Sequence, residues 1–507
     1  MNLPEPNIRK ELLGVAILSL VFVGFYWIAG DILQISGDEG IYLEGGRRIA
    51  MGQQPYRDFF VLTGPLTFWI QGLLGYLSGI KLVIMRLPVI LDAAFLVWAV
   101  YWFTSRYTSI VYATGAALAF AAYECRIRLL AVNHRWDSGA LATAAIVAAL
   151  WAQRSRHRKI WILSGILAAA AAWATPSMAI VGLPLLYWSA RKHAGGAIAF
   201  LGGTALTSAA AGVYLQWHHA LLPMVQSLRW TAANYTAPNL LPYGNVWAGA
   251  PVEIAGWQYV AATAILAVPA ILPPVAIAGW LWFRSASKKS QESPEILPMV
   301  GAAAAMTLAA WPRWGAETLF HTMAFSWFLC ALLLYRLTTP HQRFWCGGVI
   351  LVIAGASLLP KLAAPLSYPT WETRVGTLDD PNNEGEILDR LERRVNPGDS
   401  LFSFPYLPSA YYYLDARNPS RYTFMQPGMM APEDERQAID ELRADPPRWV
   451  IYERFPAEAV FRIWPGTDPA RIPMAAMNQY LADHYREVDT VFHGLVRLKL
   501  MERVPAP

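Results

Sequence analysis

Charged residues are scarce in this sequence. Asp, Glu, Lys and Arg make up 15% of its 507 residues, against 55% hydrophobic, a balance unlike that of a typical water-soluble protein. The shortage makes a bilayer the expected solvent. Cysteine is scarcer still: Cys125, Cys330 and Cys346 form no C-x-x-C pair, and two of them lie inside apolar runs. This argues against both a zinc site and a disulfide framework. Also missing are a G-x-x-x-x-G-K-[ST] loop, a dinucleotide fingerprint, H-E-x-x-H and G-x-S-x-G, so ATP-driven, dehydrogenase, metalloprotease and serine-hydrolase chemistry lose their sequence support. The net charge of +5 is carried by basic residues spread over short loops, which is no nucleic-acid footprint, and no nucleic-acid partner is expected.

What the chain does have is apolar runs. About 20 residues at 1.5 Å each span a bilayer core, and candidates fall at 12–33, 84–104, 108–124, 137–152, 160–174, 176–190, 196–217, 258–283, 295–312, 320–337 and 344–359. The first follows Arg9 and Lys10, lacks a small-residue cleavage site and reads as an uncleaved helix. Tryptophans near run ends, among them Trp27, Trp151, Trp161, Trp217 and Trp257, suit the headgroup layer. Basic residues at Arg9/Lys10, Arg106, Arg154/Arg156/Arg158/Lys159, Arg191/Lys192, Arg284/Lys288/Lys289 and Arg336/Arg343 fall on one side of an eleven-helix arrangement, and the positive-inside rule makes that side cytoplasmic. The expected fold is an α-helical polytopic membrane protein of about 11 transmembrane helices. Residues 1–360 form its membrane domain, with a 34–83 outer loop carrying interfacial helices. Pro65 to Leu77 reads as one of these, or else as a further span. From 361 to 507 short alternating runs, 400–404 and 449–452, flank a polar helix near Pro432–Arg443, the pattern of an extracytoplasmic α/β domain.

The first outer loop reads Gly37-Asp38-Glu39-Gly40, two adjacent carboxylates a few residues past a membrane helix. Flanking glycines permit a sharp turn and close backbone approach to a ligand, and a carboxylate in low-dielectric surroundings gains strength as a general base. The plainer reading makes Asp38 an ordinary helix cap. The loop continues through Gly45-Gly46-Arg47-Arg48, Pro55-Tyr56-Arg57-Asp58-Phe59 and Gly64-Pro65-Leu66. In this order the segments resemble the first periplasmic loop of the GT-C glycosyltransferases, in particular the family-39-like group related to aminoarabinose and protein mannosyl transferases. Arg86-Leu87-Pro88 and Asn133-His134-Arg135-Trp136-Asp137 extend the similarity.

The resemblance implies a multi-pass protein of the inner (plasma) membrane, surrounded by membrane lipids and with its active site on the extracytoplasmic face. It implies inverting transfer of a sugar from a polyprenyl-phosphate-linked donor to an envelope acceptor, whether lipid, glycan or protein. Asp38 maps to the base, Glu39 to the second half of the pair and Asp137 to the second acidic site. Tyr56, Arg57 and Asp58 form the substrate-binding turn. Thr175-Pro176 stands where many relatives carry Lys-Pro, which puts a lysine contact to phosphate in doubt. An anionic leaving group calls for fixed cations, and the candidates are Arg126, Arg128, His134, Arg135, Arg313 and His321. No cofactor is indicated, and a divalent cation is left open. The competing reading is a secondary transporter or flippase of lipids or lipid-linked sugars, since intramembrane charges also mark substrate paths; the paired broken helices it would show are not evident. In the tail, Tyr406, Tyr411, Tyr412, Tyr413 and Trp464 are read either as stacking faces for a sugar or as core.

Overall fold

A computed structural model describes residues 8–35, 37–155, 157–191, 194–247, 256–286, 295–493 and 496–504. Arg156, Lys192, Lys288 and Lys289 lie outside these residues. Each of the eleven apolar runs falls on helix: Ile8–Ala29, Leu87–Tyr107, Ile110–Glu124, His134–Ser155, Arg158–Ala174, Gly182–Ala190 with the 3-10 turn before it, Ala194–Trp217, Gly256–Ala286, Ile296–Ala309, Ala324–Leu337 and Pro340–Ala363. By length and composition, five apolar stretches can cross a bilayer: Ile8–Ala29, Leu82–Tyr107, Gly195–Trp217, Gly256–Ala286 and Pro340–Ser367. Ile110–Glu124, Pro176–Ala190, Ile296–Ala309 and Ala324–Leu337 are apolar but shorter. The chain is built as a multi-pass membrane protein.

The helices run up and down, and their loops sort to two ends. At one end the Lys10 ammonium donates to the carbonyls of Ser105 and Thr108, Arg106 pairs with Glu11 at 3.1 Å and the Tyr107 hydroxyl reaches Glu295 at 3.1 Å. At the other end Lys361 donates to the carbonyls of Ala122 and Cys125 at 2.5 and 2.8 Å. Both the acidic loop and the strand-bearing tail gather there. Most of the tryptophans at run ends are exposed on the bundle surface, as an amphipathic ring in a headgroup layer would be. Trp161 departs from that expectation: it is buried edge-on to Trp188 at 6.3 Å, because its helix turns that face toward the hairpin after Pro176.

Two short helices build the 34–83 loop, Glu39–Ala50 and Leu66–Ser78. The second has 13 residues, about 20 Å at helical rise, too short to cross a bilayer. Close packing of the pair depends on glycine. A β-carbon at Gly46 would lie 2.5 Å from that of Gln71, and one at Gly45 would lie 2.4 Å from the Phe68 ring.

The tail opens with the hairpin β1 (Thr370–Thr373) and β2 (Gly376–Asp379). A four-stranded sheet of order β3-β4-β6-β5 follows, from β3 (Leu401–Phe404), β4 (Trp449–Glu453), β5 (Tyr485–His493) and β6 (Val496–Arg503). Strands β3 and β4 are parallel, and the connection between them carries the helix Pro432–Ala444, which fits the alternating pattern of the sequence. The hairpin and the last two strands were not among the expected strands. Tyr411, Tyr412 and Tyr413 are fully buried in the core.

Candidate active site

The tail grips the chain as it leaves the first helix. The Leu33 amide donates to the Asp379 carbonyl at 2.7 Å, the Ile35 amide to Glu384 at 2.5 Å, and the Ser409 hydroxyl to the Ile35 carbonyl. Gly40 lets the two backbones meet, since a β-carbon there would lie 2.1 Å from the Ser409 nitrogen. This contact brings Tyr406 over the acidic pair, and its hydroxyl donates to Asp38 Oδ1 at 2.7 Å. Asp38 makes no capping bond to the helix that follows it. The plain capping role is therefore not the one the side chain plays.

Glu39 borders the same open space as Asp38 but is engaged from below. It is buried and takes both Nε and Nη2 of Arg86, at 2.8 and 2.6 Å, while accepting from the Val132 amide at 2.9 Å. Arg86 in turn holds the carbonyls of Ala29 and Ile32 at 3.0 and 2.6 Å. The pair ties together the ends of three helices, and removing one partner from such a buried pair costs about 3–5 kcal/mol. The structure thus engages Glu39 as a clamp and leaves Asp38 as the carboxylate exposed to the open space above it.

That space is a cavity of about 860 Å³ between the bundle end and the tail. Asp38, Arg128, His134, Arg135, Arg313 and His321 all line it. Asn133 accepts from the Arg135 amide at 3.0 Å and so caps the helix His134–Ser155, whose N-terminal end adds partial positive charge beside an anion. His134 Nδ1 lies 2.6 Å from the Thr175 hydroxyl, which also donates to Ser138 at 2.9 Å. At the place expected of a lysine, then, Thr175 orients a histidine. Arg313 is placed by pairing of its segment with the chain around Leu241, and it holds Glu317 at 2.8 Å and the Ile463 carbonyl at 3.0 Å. Arg128 reaches Asn382 at 3.5 Å. Among the described residues no carboxylate pairs with the guanidinium of Arg135 or of Arg128, which leaves both available to a ligand, Arg135 from the capped end of its helix.

Other expected residues lie elsewhere. Arg126 stands off the cavity lining, its guanidinium stacked 4.2 Å from the Tyr123 ring centroid. Asp137 is enclosed off the cavity lining, where it accepts from the Thr67 hydroxyl, because two residues past Arg135 the helix has turned by about 200° and carries it into the bundle. Tyr56 is buried, its hydroxyl on the Thr63 carbonyl at 2.6 Å. Arg57 holds Asp58 at 2.7 Å and the His218 carbonyl at 3.0 Å, and both side chains line a separate polar groove of about 450 Å³. The turn that carries these three residues braces the loop and does not reach the cavity. Among the described residues no group of three His, Cys, Asp or Glu side chains could hold a metal ion.

Several lining residues had no expected role. Tyr42 packs against His134, with ring centroids 5.8 Å apart. Burial and then the charge of Asp38 push the hydroxyls of Tyr42 and Tyr406 well above the usual tyrosine range, so both stay protonated and Tyr406 remains a donor to Asp38. Gln426 and Glu453 line the tail side. Asp92 carried a signal that went unread, a carboxyl inside an apolar run. Gln426 and Glu453 carried none, since nothing local tells which polar residue of a loop or strand end faces a cavity.

The sequence matches no family model and no curated protein. Solved structures do match. ArnT from Cupriavidus metallidurans bound to undecaprenyl phosphate is similar at 13% identity and a TM-score of 0.55, over 98% of both chains. The oligosaccharyltransferase AglB from Archaeoglobus fulgidus, in complex with an inhibitory peptide and a dolichol-phosphate, is similar at 11% identity and a TM-score of 0.52, over 94% of this chain and 73% of that one. With its helical bundle, its loop of two short helices and its strand-bearing tail over the cavity, the chain has the fold of the GT-C membrane glycosyltransferases.

Proposed function

We propose that the chain is an inverting glycosyltransferase that moves a sugar from a polyprenyl-phosphate-linked donor to an envelope acceptor on the outer face of the inner membrane. In this reading residues 1–360 form the catalytic membrane domain, and 361–507 form an extracytoplasmic domain that closes the site. One observation carries the proposal: an exposed carboxylate, Asp38, which makes no capping bond, lines the same cavity as Arg135, whose guanidinium meets no carboxylate among the described residues. ArnT and AglB, which share the fold, were solved with polyprenyl phosphates.

Asp38 takes the proton from an acceptor O–H or N–H. The freed electron pair attacks the anomeric carbon, and the bond from that carbon to the phosphate oxygen breaks with its pair going to the phosphate. Arg135, assisted by Arg313, Arg128 and the N-terminal end of the helix at His134, stabilises the charge that develops there. Asp38→Asn keeps shape and removes the proton acceptor, so transfer should fall roughly 100-fold or more while undecaprenyl phosphate still binds. Since Asn caps a helix about as well as Asp, transfer at the wild-type level in this variant would remove Asp38 from the mechanism.

A further inference from the structure

The donor reading accounts for the bundle side of the cavity and leaves the tail side unexplained. Glu453 ends β4, and Gln426 sits in the loop before the helix Pro432–Ala444. Both line the cavity while only 6% and 4% exposed, and neither Glu453 Oε2 nor Gln426 Nε2 has a hydrogen-bond partner among the described residues. Native interiors rarely leave polar atoms so, and a ligand that meets them relieves the cost. No basic side chain pairs with Glu453 among the described residues, and burial pushes its carboxyl up to about 8. At neutral pH it keeps its proton and offers an O–H donor beside a carbonyl acceptor, while the amide of Gln426 offers two N–H donors beside its own carbonyl, a set matched to neutral hydroxyls.

Aromatic rings frame the two polar groups. Tyr406 lies 5.2 Å from Phe424 and 5.9 Å from Trp464, and Trp464 lies 6.2 Å from Phe455, measured between ring centroids. Apolar ring faces beside neutral donors and acceptors complement a pyranose, which presents C–H faces and a rim of hydroxyls. Tyr406 belongs to this frame and also holds Asp38 at 2.7 Å, so a sugar bound here has its rim beside the base. We propose that Glu453 and Gln426, framed by Tyr406, Phe424, Phe455 and Trp464, form a subsite for a neutral sugar ring of the acceptor. The proposal rests on the glycosyltransferase reading and narrows its acceptor to a glycan or a glycan-bearing molecule.

The test uses the full chain in nanodiscs and two kinds of probe. Saturation-transfer NMR with the methyl glycosides of glucose, galactose, mannose and N-acetylglucosamine reads the subsite, and binding of undecaprenyl phosphate reads the donor side. At least one glycoside should give a signal with the wild type. That signal should fall about tenfold or more in Glu453→Ala and in Gln426→Ala, and recover in part in Glu453→Gln. Undecaprenyl phosphate should bind all variants alike, which also shows that they fold. The subsite is overturned if no glycoside binds a wild type that binds undecaprenyl phosphate, or if Glu453→Ala keeps the full signal. If undecaprenyl phosphate fails to bind while the glycoside signal still depends on Glu453, the donor reading falls and the subsite stands.

Discussion

The bundle side of the cavity presents Arg128, Arg135 and Arg313, whereas the tail side presents Tyr406, Phe424, Gln426, Glu453, Phe455 and Trp464 and, among the described residues, no basic side chain. A polyprenyl phosphate carries its charge close to the membrane, and a cationic wall at the helix ends suits it. A neutral aromatic wall suits a ligand held by shape and hydrogen bonds. On the proposed reading, donor and acceptor then occupy two sides of one space, with Asp38 at the seam where its hydrogen bond to Tyr406 joins them. It also separates cations by availability. Four arginines, Arg48, Arg57, Arg417 and Arg421, line the shallow groove on the flank, but Arg57 is paired with Asp58, Arg417 with Asp445, and Arg48 and Arg421 hold backbone carbonyls. Charge density alone would have favoured the groove.

Changes on the cationic wall should have the largest effect after loss of Asp38. Arg135→Ala should weaken undecaprenyl phosphate binding about tenfold or more, the scale of a lost charge-assisted hydrogen bond, and Arg313→Ala should cost less because Glu317 already engages that guanidinium. Binding assays that rank them in reverse would break the assignment of Arg135 as the principal cation. At the seam, Tyr406→Phe should lower turnover roughly fivefold with donor affinity unchanged, since it frees Asp38 from one hydrogen bond of modest net worth; a change confined to donor affinity would move Tyr406 to the other wall.

On the neutral wall, Glu453 predicts a pH effect on stability. Its carboxyl is raised from 4.5 to about 8 by burial, so between those values the unfolded chain releases a proton that the folded one retains. Stability from this group is therefore lost as pH rises through that window. Glu453→Gln should melt about 3 °C or more above wild type at pH 8 and level with it near pH 4, as thermal unfolding in detergent would show. The smallest effect belongs to the flank: Arg57→Ala should leave donor binding and transfer within about twofold, because an exposed pair contributes little and the cavity does not include it.

Much of this architecture is written locally. Apolar runs of about 20 residues placed the helices, and a carboxylate pair between glycines marked the loop that lines the cavity. Alternation in the tail located β3 and β4, and two residues of the Asn133-to-Asp137 stretch, His134 and Arg135, line the cavity. Asp137 of the same stretch, two residues and about 200° of helix past Arg135, is buried in the bundle and off the cavity lining.

Hydropathy and turn chemistry act between near neighbours, so the sequence by itself determined the bundle of apolar helices, the acidic loop and the strand-bearing tail. The tertiary structure alone decided what each polar group meets. Glu39 is neutralised by Arg86, 47 residues on, while Asp38 is left to a tyrosine 368 residues away. Adjacent carboxylates of the same local sequence diverged because one faces the low-dielectric junction of three helices, where an unpaired charge could not stay, and the other faces the cavity, where it could.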